Sequence, residues 1–491
     1  MNFTLVNLNM LYIKYLDGRV HRQCHLPLGP LYLLTALWKS GIDVDFRDYQ
    51  LVERDDLFDP EALCDFLEGA APVVGLSCMA NLLPFVLYAM PFLKKRFPHT
   101  RFVLGGVGAQ DIEREILERT PELDVVHRGE GERSVPLLVQ ALLNNAPLDN
   151  VPGVFYRNGV AVRMNPPAPR ITDLDSLFKP GYQGLDFKKY VGHNILGSRG
   201  CPYPCTFCSI APVWGRTAHS RSNESIVEEM AFMHREHGVN QFLFQDEFFV
   251  SGPERIKGFA RLLMKSGIGV RYKAFARVDL VDEEALGMMA DSGCIEVRFG
   301  VESGSNRVLK LVKKGFDAET ALRVVSMAKR HIQGVDAFYI WGFPFETMED
   351  FSDSVFQMIT LRGMNIRIMP SLLTYLPQTE IYREIRDKSR LEFCPWLMPE
   401  YMIAGMERRV SVRVSIDERH KGFFDYIMQN RDIFPGFFHL DITANLVPKL
   451  EMLEEFGFYK KEVDESCGAH SPSQTGFEGE PAALVPKGIT P

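Results

Sequence analysis

Short apolar segments alternate with helical patterns through two long stretches of the chain, and this alternation narrows the possible folds more than any other feature. The first stretch predicts strands at 3–9, 43–49, 72–78, 101–107 and 124–131, and helices at 29–41, 83–97 and 132–144. Strands that alternate with helices of this length pair in parallel, with helices on both faces of the sheet. Residues 1–150 are therefore predicted to form a doubly wound, Rossmann-like α/β domain.

The carboxyl ends of strands are where a sheet of this kind binds ligands. Small or polar residues stand at or just after the predicted ends: Ser77, Gly105, Gly106, Glu130 and Gly131. Glycine lets a ligand approach the backbone closely, so a side chain at Gly105 or Gly106 is expected to obstruct it. Turn and packing roles are the alternative for all five residues, because a fold alone does not fix a function.

A second alternating stretch follows a connector at 151–190, in which an Asn-Gly pair predicts a hairpin turn. Its strands are predicted at 193–200, 241–249, 271–278, 295–303, 336–345 and 366–377. Six β/α units predict a partial (β/α)6 barrel over 191–380, with its chemistry at the carboxyl ends of the strands. A small C-terminal region at 381–462 has no assignable fold and is expected to lie on the substrate side. The Gly-, Pro-, Ser- and Glu-rich tail at 463–491 predicts disorder.

Composition and charge exclude several other classes of protein. The net charge of −8 over 491 residues gives no electrostatic argument for nucleic-acid binding. Nine cysteines are present, and most are scattered singly, so a secretory disulfide framework is not indicated. There is no signal-peptide pattern, and no apolar run reaches the roughly 18 residues that a membrane span needs. We expect a cytoplasmic protein that neither spans a membrane nor binds nucleic acid.

Three cysteines, Cys201, Cys205 and Cys208, stand together just after the first strand of the second series. Their C-x3-C-x2-C spacing places three thiolates on one loop, which can bind three irons of a [4Fe-4S] cubane and leave the fourth iron open. Zinc is one alternative, but zinc usually takes four ligands in paired motifs, and no second pair accompanies this triplet. Chance is the other alternative, and the scattering of the remaining cysteines argues against it.

This loop, with Phe207 before its last cysteine, resembles the radical S-adenosylmethionine (radical SAM) superfamily. There the open iron binds SAM, and the reduced cluster cleaves it to methionine and a 5′-deoxyadenosyl radical. Segments similar to those of the family follow in the same order: FLFQDEFF (242–249), RVD (277–279), GVESGS (300–305) and YIWGFPFET (339–347). The resemblance implies cofactor contacts from Phe207, Glu247, Arg277, Glu302, Gly342 and Glu346. A rim salt bridge is the alternative for Arg277, and Phe338 replaces the first glycine of the last segment.

The first domain resembles the cobalamin-binding domain that is fused to one large radical SAM class. VVGLSC, FVLGGVGAQ and DVVHRGEGE carry this resemblance, which implies that the five residues at the strand ends contact cobalamin. The D-x-H-x-x-G motif, which supplies a histidine to cobalt in other cobalamin proteins, is absent. None of His21, His25, His99 and His127 stands in such a motif. The resemblance therefore implies a cobalamin with no histidine on cobalt and with its own dimethylbenzimidazole tail displaced.

The whole pattern resembles a cobalamin-dependent radical SAM methyltransferase. This implies methylation of an unactivated carbon in a small-molecule or lipid-like substrate, with electrons from a donor such as flavodoxin or ferredoxin. A cobalamin-containing radical SAM cyclase or rearrangement enzyme is an alternative. Methylthiotransferase-like sulfur insertion is another, although Cys24, Cys64 and Cys78 are widely spaced for the second cluster of that class. A non-enzymatic iron–sulfur redox protein is the last, although such proteins usually ligate every iron with protein thiolates.

Overall fold

The fold is described from a computed structural model, which covers residues 1–8, 24–54, 56–177, 179–399, 412–413 and 418–459. The tail at 463–491, for which disorder is predicted, lies outside these residues, as does His21. Among the helices of the described residues, none combines the length and the hydrophobicity that crossing a membrane requires.

The N-terminal half is built around one seven-stranded sheet. Its strands are β1 (Phe3–Leu8), β2 (Val44–Asp48), β3 (Val73–Cys78), β4 (Arg101–Gly105), β5 (Val125–His127), β6 (Val154–Asn158) and β7 (Ala161–Met164). The order is β2-β1-β3-β4-β5-β6-β7, with β1 to β5 parallel. The hairpin β6–β7, which turns at Asn158-Gly159 as predicted, pairs antiparallel with β5. The predicted boundary at residue 150 therefore separates this hairpin from the sheet to which it belongs.

Helices cover both faces of this sheet. They are α1 (Leu28–Lys39), α2 (Pro60–Phe66), α3 (Leu83–Arg96), α4 (Glu113–Arg119) and α5 (Val135–Leu143). Helices α1 and α5 bury their apolar sides in one core cluster, while α2, α3 and α4 do so in the other. The strand order reverses between β1 and β3, and ligands bind at such a switch point. The predicted doubly wound architecture is confirmed.

The second half is a partial barrel. Its parallel strands are β8 (Asn194–Ile195), β11 (Gln241–Phe244), β12 (Arg271–Ala276), β13 (Cys294–Glu302), β14 (Gly334–Trp341) and β15 (Arg367–Leu372), in that spatial order. Two short strands, β9 (Ser198–Arg199) and β10 (His219–Ser220), form a separate antiparallel pair around the cysteine loop. The predicted six-stranded partial barrel is confirmed.

Helices follow the barrel strands and cover their outer side. They are α6 (Ile210–Val213), α7 (Asn223–His237), α8 (Pro253–Ser266), α9 (Glu283–Asp291), α10 (Asn306–Leu311), α11 (Ala318–His331) and α12 (Met348–Gly363). On β13, Val297, Phe299 and Val301 join the core cluster that these helices share. Because side chains alternate along a strand, Glu296 and Arg298 face the barrel interior.

The open edge of the barrel is extended by a segment of the N-terminal half. Leu26 N–H donates to the Gly192 carbonyl (2.9 Å), and Val191 N–H donates to the Cys24 carbonyl (2.9 Å). His25 pairs with Gly192 as a parallel bridge beside β8. The two halves are thus joined by backbone hydrogen bonds as well as by side chains.

The C-terminal region contacts both halves of the molecule. It contains α13 (Glu380–Arg383), β16 (Glu392–Phe393), α14 (Lys421–Gln429), β17 (Phe438–His439) and α15 (Val447–Glu455). Phe423 of α14 packs on Tyr88 of α3, with ring centroids 5.8 Å apart. Trp341 at the end of β14 donates from Nε1 to the Tyr459 hydroxyl (3.1 Å). This region therefore braces the sheet against the barrel, a role that its sequence does not indicate.

Candidate functional site

A deep cleft lies between the carboxyl ends of the first sheet and the barrel. Its internal volume is about 450 Å³, within the usual range for small-molecule sites. The sheet side of its wall contains all five predicted residues: Ser77, Gly105, Gly106, Glu130 and Gly131. The barrel side contains Glu247 and, around the cysteine loop, Ile210 and Trp214. All five residues predicted from the sheet therefore meet Glu247, one of the residues predicted from the barrel, at one cleft.

The cysteine loop leaves β9 through Gly200, whose φ of +89° favours glycine. A Cβ at this position would lie 2.2 Å from the Thr217 carbonyl oxygen, so no other residue fits without a shift. Thr206 N–H donates to the Val312 carbonyl (3.2 Å) and anchors the loop to the barrel. Cys201, Cys205 and Cys208 are half-buried free thiols.

These thiols fit a cluster better than a single ion. Among the described residues, no three His, Cys, Asp or Glu side chains converge on one metal-ion position. A cubane cluster does not require the three thiolates to converge on one position, because each thiolate binds a different iron. Burial raises the pKa of Cys208 to about 11 and also raises that of Cys201. Metal ligation would therefore have to release protons from these thiols.

Arg277 holds the cysteine loop. Its guanidinium lies 3.5 Å from the Tyr203 ring centroid and donates to the Lys314 carbonyl (2.7 Å) and to both Asp279 oxygens (3.0 and 2.9 Å). Its Nη1 lies 4.0 Å from Cys205 Sγ. The salt bridge that was the alternative for Arg277 is thus present, and the residue also places a positive charge beside a thiol. Its contact with a cofactor stays a prediction.

Glu302 occupies a strained position at the end of β13. Its φ is +72°, and the pairing of β13 with β14 shifts register between Gly300 and Glu302. Its carboxylate accepts from Lys314 Nζ (2.7 Å) in a buried ion pair. Lys314 Nζ lies 5.8 Å from the Phe207 ring centroid, so this pair adjoins the cysteine loop. Lys314 was not predicted as a site residue, because nothing in its local sequence distinguishes it from neighbouring lysines.

Two adjacent carboxyl groups, Asp246 and Glu247, lie where β11 ends. Asp246 accepts from Ser198 Oγ (2.6 Å) and from Gly197 N–H (3.1 Å), and burial raises its pKa to about 6. The Glu247 side chain lines the cleft and is exposed to it. The protein around the cleft partly desolvates this carboxyl group, and together with the charge of Asp246 this raises its pKa to about 7. Glu247 was predicted from the sequence, whereas Asp246 was not. Through its hydrogen bonds to Gly197 and Ser198, Asp246 fixes the strand that leads into the cysteine loop.

Gly342 and Glu346 lie away from the cleft wall. Gly342 has φ of +86°, and its N–H donates to Glu346 Oε2 (3.0 Å). The same carboxylate forms a buried ion pair with Lys449 of α15 (2.8 Å). Burial raises the pKa of Glu346 and lowers that of Lys449. The structure thus gives Glu346 a bracing partner, and the SAM contacts of both residues stay predictions.

The Glu130 side chain is hydrogen-bonded to the connector and to the barrel half, so it is not free in the cleft. Its carboxylate accepts from Arg199 Nη1 (2.8 Å), Arg170 Nε (3.2 Å) and Ile171 N–H (2.7 Å). Arg199 also donates to Glu132 (2.5 Å) and stands two residues before Cys201. The predicted cobalamin contact of Glu130 stays a prediction, and both of its oxygens already have protein partners.

The two glycines after β4 are not equivalent. A Cβ at Gly105 would meet no heavy atom of the described residues within 4 Å, and it would point into open cleft. A Cβ at Gly106, where φ is +90°, would lie 2.4 Å from the Cys78 carbonyl oxygen. Glycine at position 106 is therefore required by the fold itself. Of the two positions, only Gly105 can be substituted to test whether a ligand binds next to the strand end.

Two histidines line the cleft, although neither belongs to a cobalt-binding motif. His127 bonds through Nε2 to Ser134 Oγ (2.6 Å). His25 interacts with the side chain of Asn194 through a hydrogen bond, and burial lowers its pKa to about 4. The expectation that no histidine binds cobalt stays a prediction.

Comparison with known proteins supports both halves of the site. Residues 195–358 match the family described as the Radical SAM superfamily, and residues 17–139 match the B12 binding domain. An uncharacterised methyltransferase of Pyrococcus horikoshii is 28% identical over 66% of this chain and 71% of its own. An anaerobic magnesium-protoporphyrin IX monomethyl ester cyclase of Synechocystis is 28% identical over 68% of each chain.

A third relative and one solved structure complete this comparison. Cytidylyl-2-hydroxyethylphosphonate methyltransferase of Streptomyces wedmorensis is 28% identical over 66% of this chain and 70% of its own. The structure of the methyltransferase TsrM from Kitasatospora setae covers 88% of both chains with a TM-score of 0.64 and 19% identity. At that identity, the likeness to TsrM shows a shared fold.

The first prediction concerns the cysteine loop. Changing Cys201, Cys205 and Cys208 together to Ala should remove the ligands of the cluster, so the anaerobically reconstituted protein should lose its roughly four irons per chain. Iron and zinc assays on the purified protein measure this. Cys64→Ala, in a helix that tolerates alanine, is the control and should keep full iron. Stoichiometric zinc in the wild type, or iron retained in the triple variant, would contradict the cluster.

The second prediction concerns Gly105. Gly105→Val should fill open cleft and lower hydroxocobalamin affinity about tenfold or more, because a side chain blocks close approach to the strand end. Absorbance titration of the full chain measures this. Gly363→Val is the control, since a Cβ at Gly363 also meets no heavy atom within 4 Å but lies in α12, far from the cleft. Equal affinity in both variants would remove Gly105 from the site.

The third prediction concerns Arg199. Arg199→Gln leaves the partly buried Glu132 without its cation and the buried Glu130 with Arg170 alone, which should lower the free energy of unfolding by about 2 kcal/mol or more. Denaturant unfolding measures this change. Arg235→Gln, which breaks the exposed pair of Arg235 with Glu236 (2.7 Å), should change the free energy of unfolding by less than about 0.5 kcal/mol. A similar small loss at Arg199 would show that this pair does not hold the halves together.

Proposed function

We propose that this chain, which belongs to the radical SAM superfamily and carries an N-terminal B12-binding domain, methylates an unactivated carbon of a small-molecule substrate. It is a cobalamin-dependent radical SAM enzyme, and its cofactors are a [4Fe-4S] cluster, SAM and cobalamin. The observation that carries the proposal is that one cleft is lined both by the open strand end at Gly105 and by Glu247 next to the cysteine loop.

Different residues around the cleft would bind the cluster, SAM and cobalamin. When bound, the cluster supplies the electron that cleaves SAM, and cobalamin supplies the methyl group. Cys201, Cys205 and Cys208 would hold the cluster, and Gly105 would let the corrin approach the sheet. Glu247 would accept from the SAM amino group, while Glu302, oriented by Lys314, would approach the ribose or the carboxylate. The walls between them would exclude water, which protects radical chemistry from side reactions.

Cyclisation is the second candidate function. The Synechocystis cyclase is as similar to this chain as the methyltransferase relatives are. The three relatives are named for unlike substrates or none, so their names do not fix a substrate class for this chain. A methylthiotransferase-like reaction is less well supported, because Cys64 belongs to α2, Cys78 to β3 and Cys24 to the segment before α1.

The remaining proposals concern the setting of the reaction. The eight described cysteines are all free, which supports a reducing, cytoplasmic location. A one-electron donor such as flavodoxin or ferredoxin would reduce the cluster. The net charge of −8 gives no electrostatic support for nucleic acid as a partner.

Product analysis tests the proposed function without knowledge of the substrate. The reduced holoenzyme, incubated with SAM and cell extract metabolites, should form both 5′-deoxyadenosine and S-adenosylhomocysteine, because methyl transfer consumes SAM in two ways. Chromatography with mass detection measures both products. A cyclase would form 5′-deoxyadenosine alone, and that outcome would replace methyl transfer by cyclisation. Formation of neither product would contradict the radical SAM assignment.

A fourth prediction isolates the SAM contact of Glu302. Glu302→Gln keeps the shape of the side chain and removes its charge, so SAM affinity should fall about tenfold while the iron content stays unchanged. SAM dependence of 5′-deoxyadenosine formation measures this. Glu349→Gln, an exposed carboxylate in the first turn of α12, is the control and should behave as the wild type. Unchanged SAM dependence in Glu302→Gln would remove this residue from the site.

A further inference from the structure

One guanidinium group lies directly beside the cysteine loop. Arg277, which follows β12, is only 8% exposed, and its Nη1 lies 4.0 Å from Cys205 Sγ. The guanidinium carbon lies 3.5 Å from the ring centroid of Tyr203, which stands in the same loop between Cys201 and Cys205. A buried charge acts through a lower effective dielectric constant than a surface charge, so its effect on neighbouring groups is stronger. Arg277 therefore stabilises negative charge that forms on the cysteine loop.

The orientation of this guanidinium group is fixed by Asp279 and by the backbone. Nε and Nη2 of Arg277 donate to the two carboxylate oxygens of Asp279 (3.0 and 2.9 Å), and Nη2 also donates to the Lys314 carbonyl (2.7 Å). Such a bidentate pair holds an arginine in one plane and one direction. Asp279 bonds to one edge of the group, whereas Nη1 on the opposite edge faces Cys205. The ion pair is therefore a dipole whose positive end lies at the thiol.

Other ionisable side chains around the loop are paired or exposed. Lys314 forms its ion pair with Glu302 (2.7 Å), and the exposed Lys313 pairs with Glu380. Glu247 lines the cleft, where the surrounding protein raises its pKa to about 7, so only part of it is ionised near neutral pH. Exposed pairs are screened by water and salt, so they act weakly on the loop. Removal of the buried arginine is therefore expected to change the charge environment of the loop most.

We propose that Arg277 raises the reduction potential of the cluster held by the cysteine loop, and that Asp279 limits this effect. Reduction adds one electron from the one-electron donor, and hence one unit of negative charge, to the cluster and its thiolates, and no bond forms or breaks. Net charge and hydrogen bonds at the sulfurs set the potentials of such clusters. A cation beside Cys205 favours the reduced state, so a weaker reductant suffices. This inference rests on the proposed function, because it takes the three cysteines to bind a cluster.

Redox titration followed by EPR, on the anaerobically reconstituted full chain without SAM or cobalamin, tests this effect directly. Arg277→Gln keeps hydrogen-bond donors and removes the charge. At the midpoint potential of the wild type, the ratio of reduced to oxidised cluster should therefore fall about tenfold, which for a one-electron couple is a midpoint lower by about 59 mV. An unchanged midpoint, with SAM binding weakened instead, would make Arg277 a SAM contact and overturn the proposal.

Substitution of the partner carboxylate should shift the potential in the opposite direction. Asp279→Asn keeps the arginine and removes the charge that opposes it, so the ratio of reduced to oxidised cluster at the wild-type midpoint should rise about threefold. A merely structural role would not give this reversal, because both substitutions weaken the same ion pair. If the midpoint falls in Asp279→Asn as it does in Arg277→Gln, the proposal is wrong.

Two further variants serve as controls for charge and for burial. Arg277→Lys keeps the positive charge, so its midpoint should lie closer to that of the wild type than to that of Arg277→Gln. Arg298 is the matched control, because it is also 8% exposed and forms an ion pair with Glu296 (2.6 Å), but it lies in the barrel interior, before the end of β13. Arg298→Gln should leave the ratio of reduced to oxidised cluster within about twofold of the wild type. A tenfold fall in Arg298→Gln, or an Arg277→Lys variant that titrates with Arg277→Gln, would overturn the proposal.

Iron content separates a failure of this inference from a failure of the proposed function. Each variant should keep roughly four irons per chain, so that the midpoints are compared at equal cluster content. A wild-type protein that binds no cluster would contradict the proposed function and this inference together. A complete cluster with the same midpoint in every variant would overturn this inference alone.

Discussion

The contact of Arg199 with Glu130 and Glu132 fixes the geometry on which the rest of the site depends. Arg199 stands two residues before the first cysteine, and both carboxylates belong to the loop that follows β5. Removing buried charges from water is costly, so such a group persists only where every charge has a partner. Glu130 meets this condition by also accepting from Arg170 and Ile171 of the connector. The Glu130 carboxylate thereby holds three chain segments together and fixes the position of the cysteine loop relative to the strand ends.

The charged groups of the site are concentrated around the cysteine loop and the end of β11. The cation of Arg277 lies beside Cys205, and Lys314 lies beside Phe207 of the same loop, so both would offset the negative charge of thiolates. At the end of β11, the protein surroundings raise the pKa of Asp246 to about 6 and that of Glu247 to about 7. Because Glu247 lines the cleft, its protonation state can change near neutral pH within reach of a bound molecule.

The strands and the longer helices could be predicted from the sequence, because each depends on the pattern of neighbouring residues. The apolar runs predicted all eleven parallel strands of the two sheets, but five of them, β5, β8, β11, β14 and β15, end four or five residues before their predicted ends. Helices α2 and α4 were missed, since seven residues hold too few turns for a periodic signal. The hairpin was predicted, but its pairing with β5 was not, because no local pattern encodes a partner strand.

The same limit explains which site residues the sequence could indicate. Cys201, Cys205 and Cys208 form one continuous motif, whereas Lys314, Asp246 and His25 gain their roles only through contacts with distant segments. His25 shows this most clearly. His25 stands in no cobalt-binding motif, and the residues around it in the sequence are typical of the start of a helix. Its meaning comes from pairing with Gly192 across more than 160 residues, which buries the ring in the cleft. His127 reaches the same cleft and is satisfied by Ser134, so burial alone does not mark a binding residue.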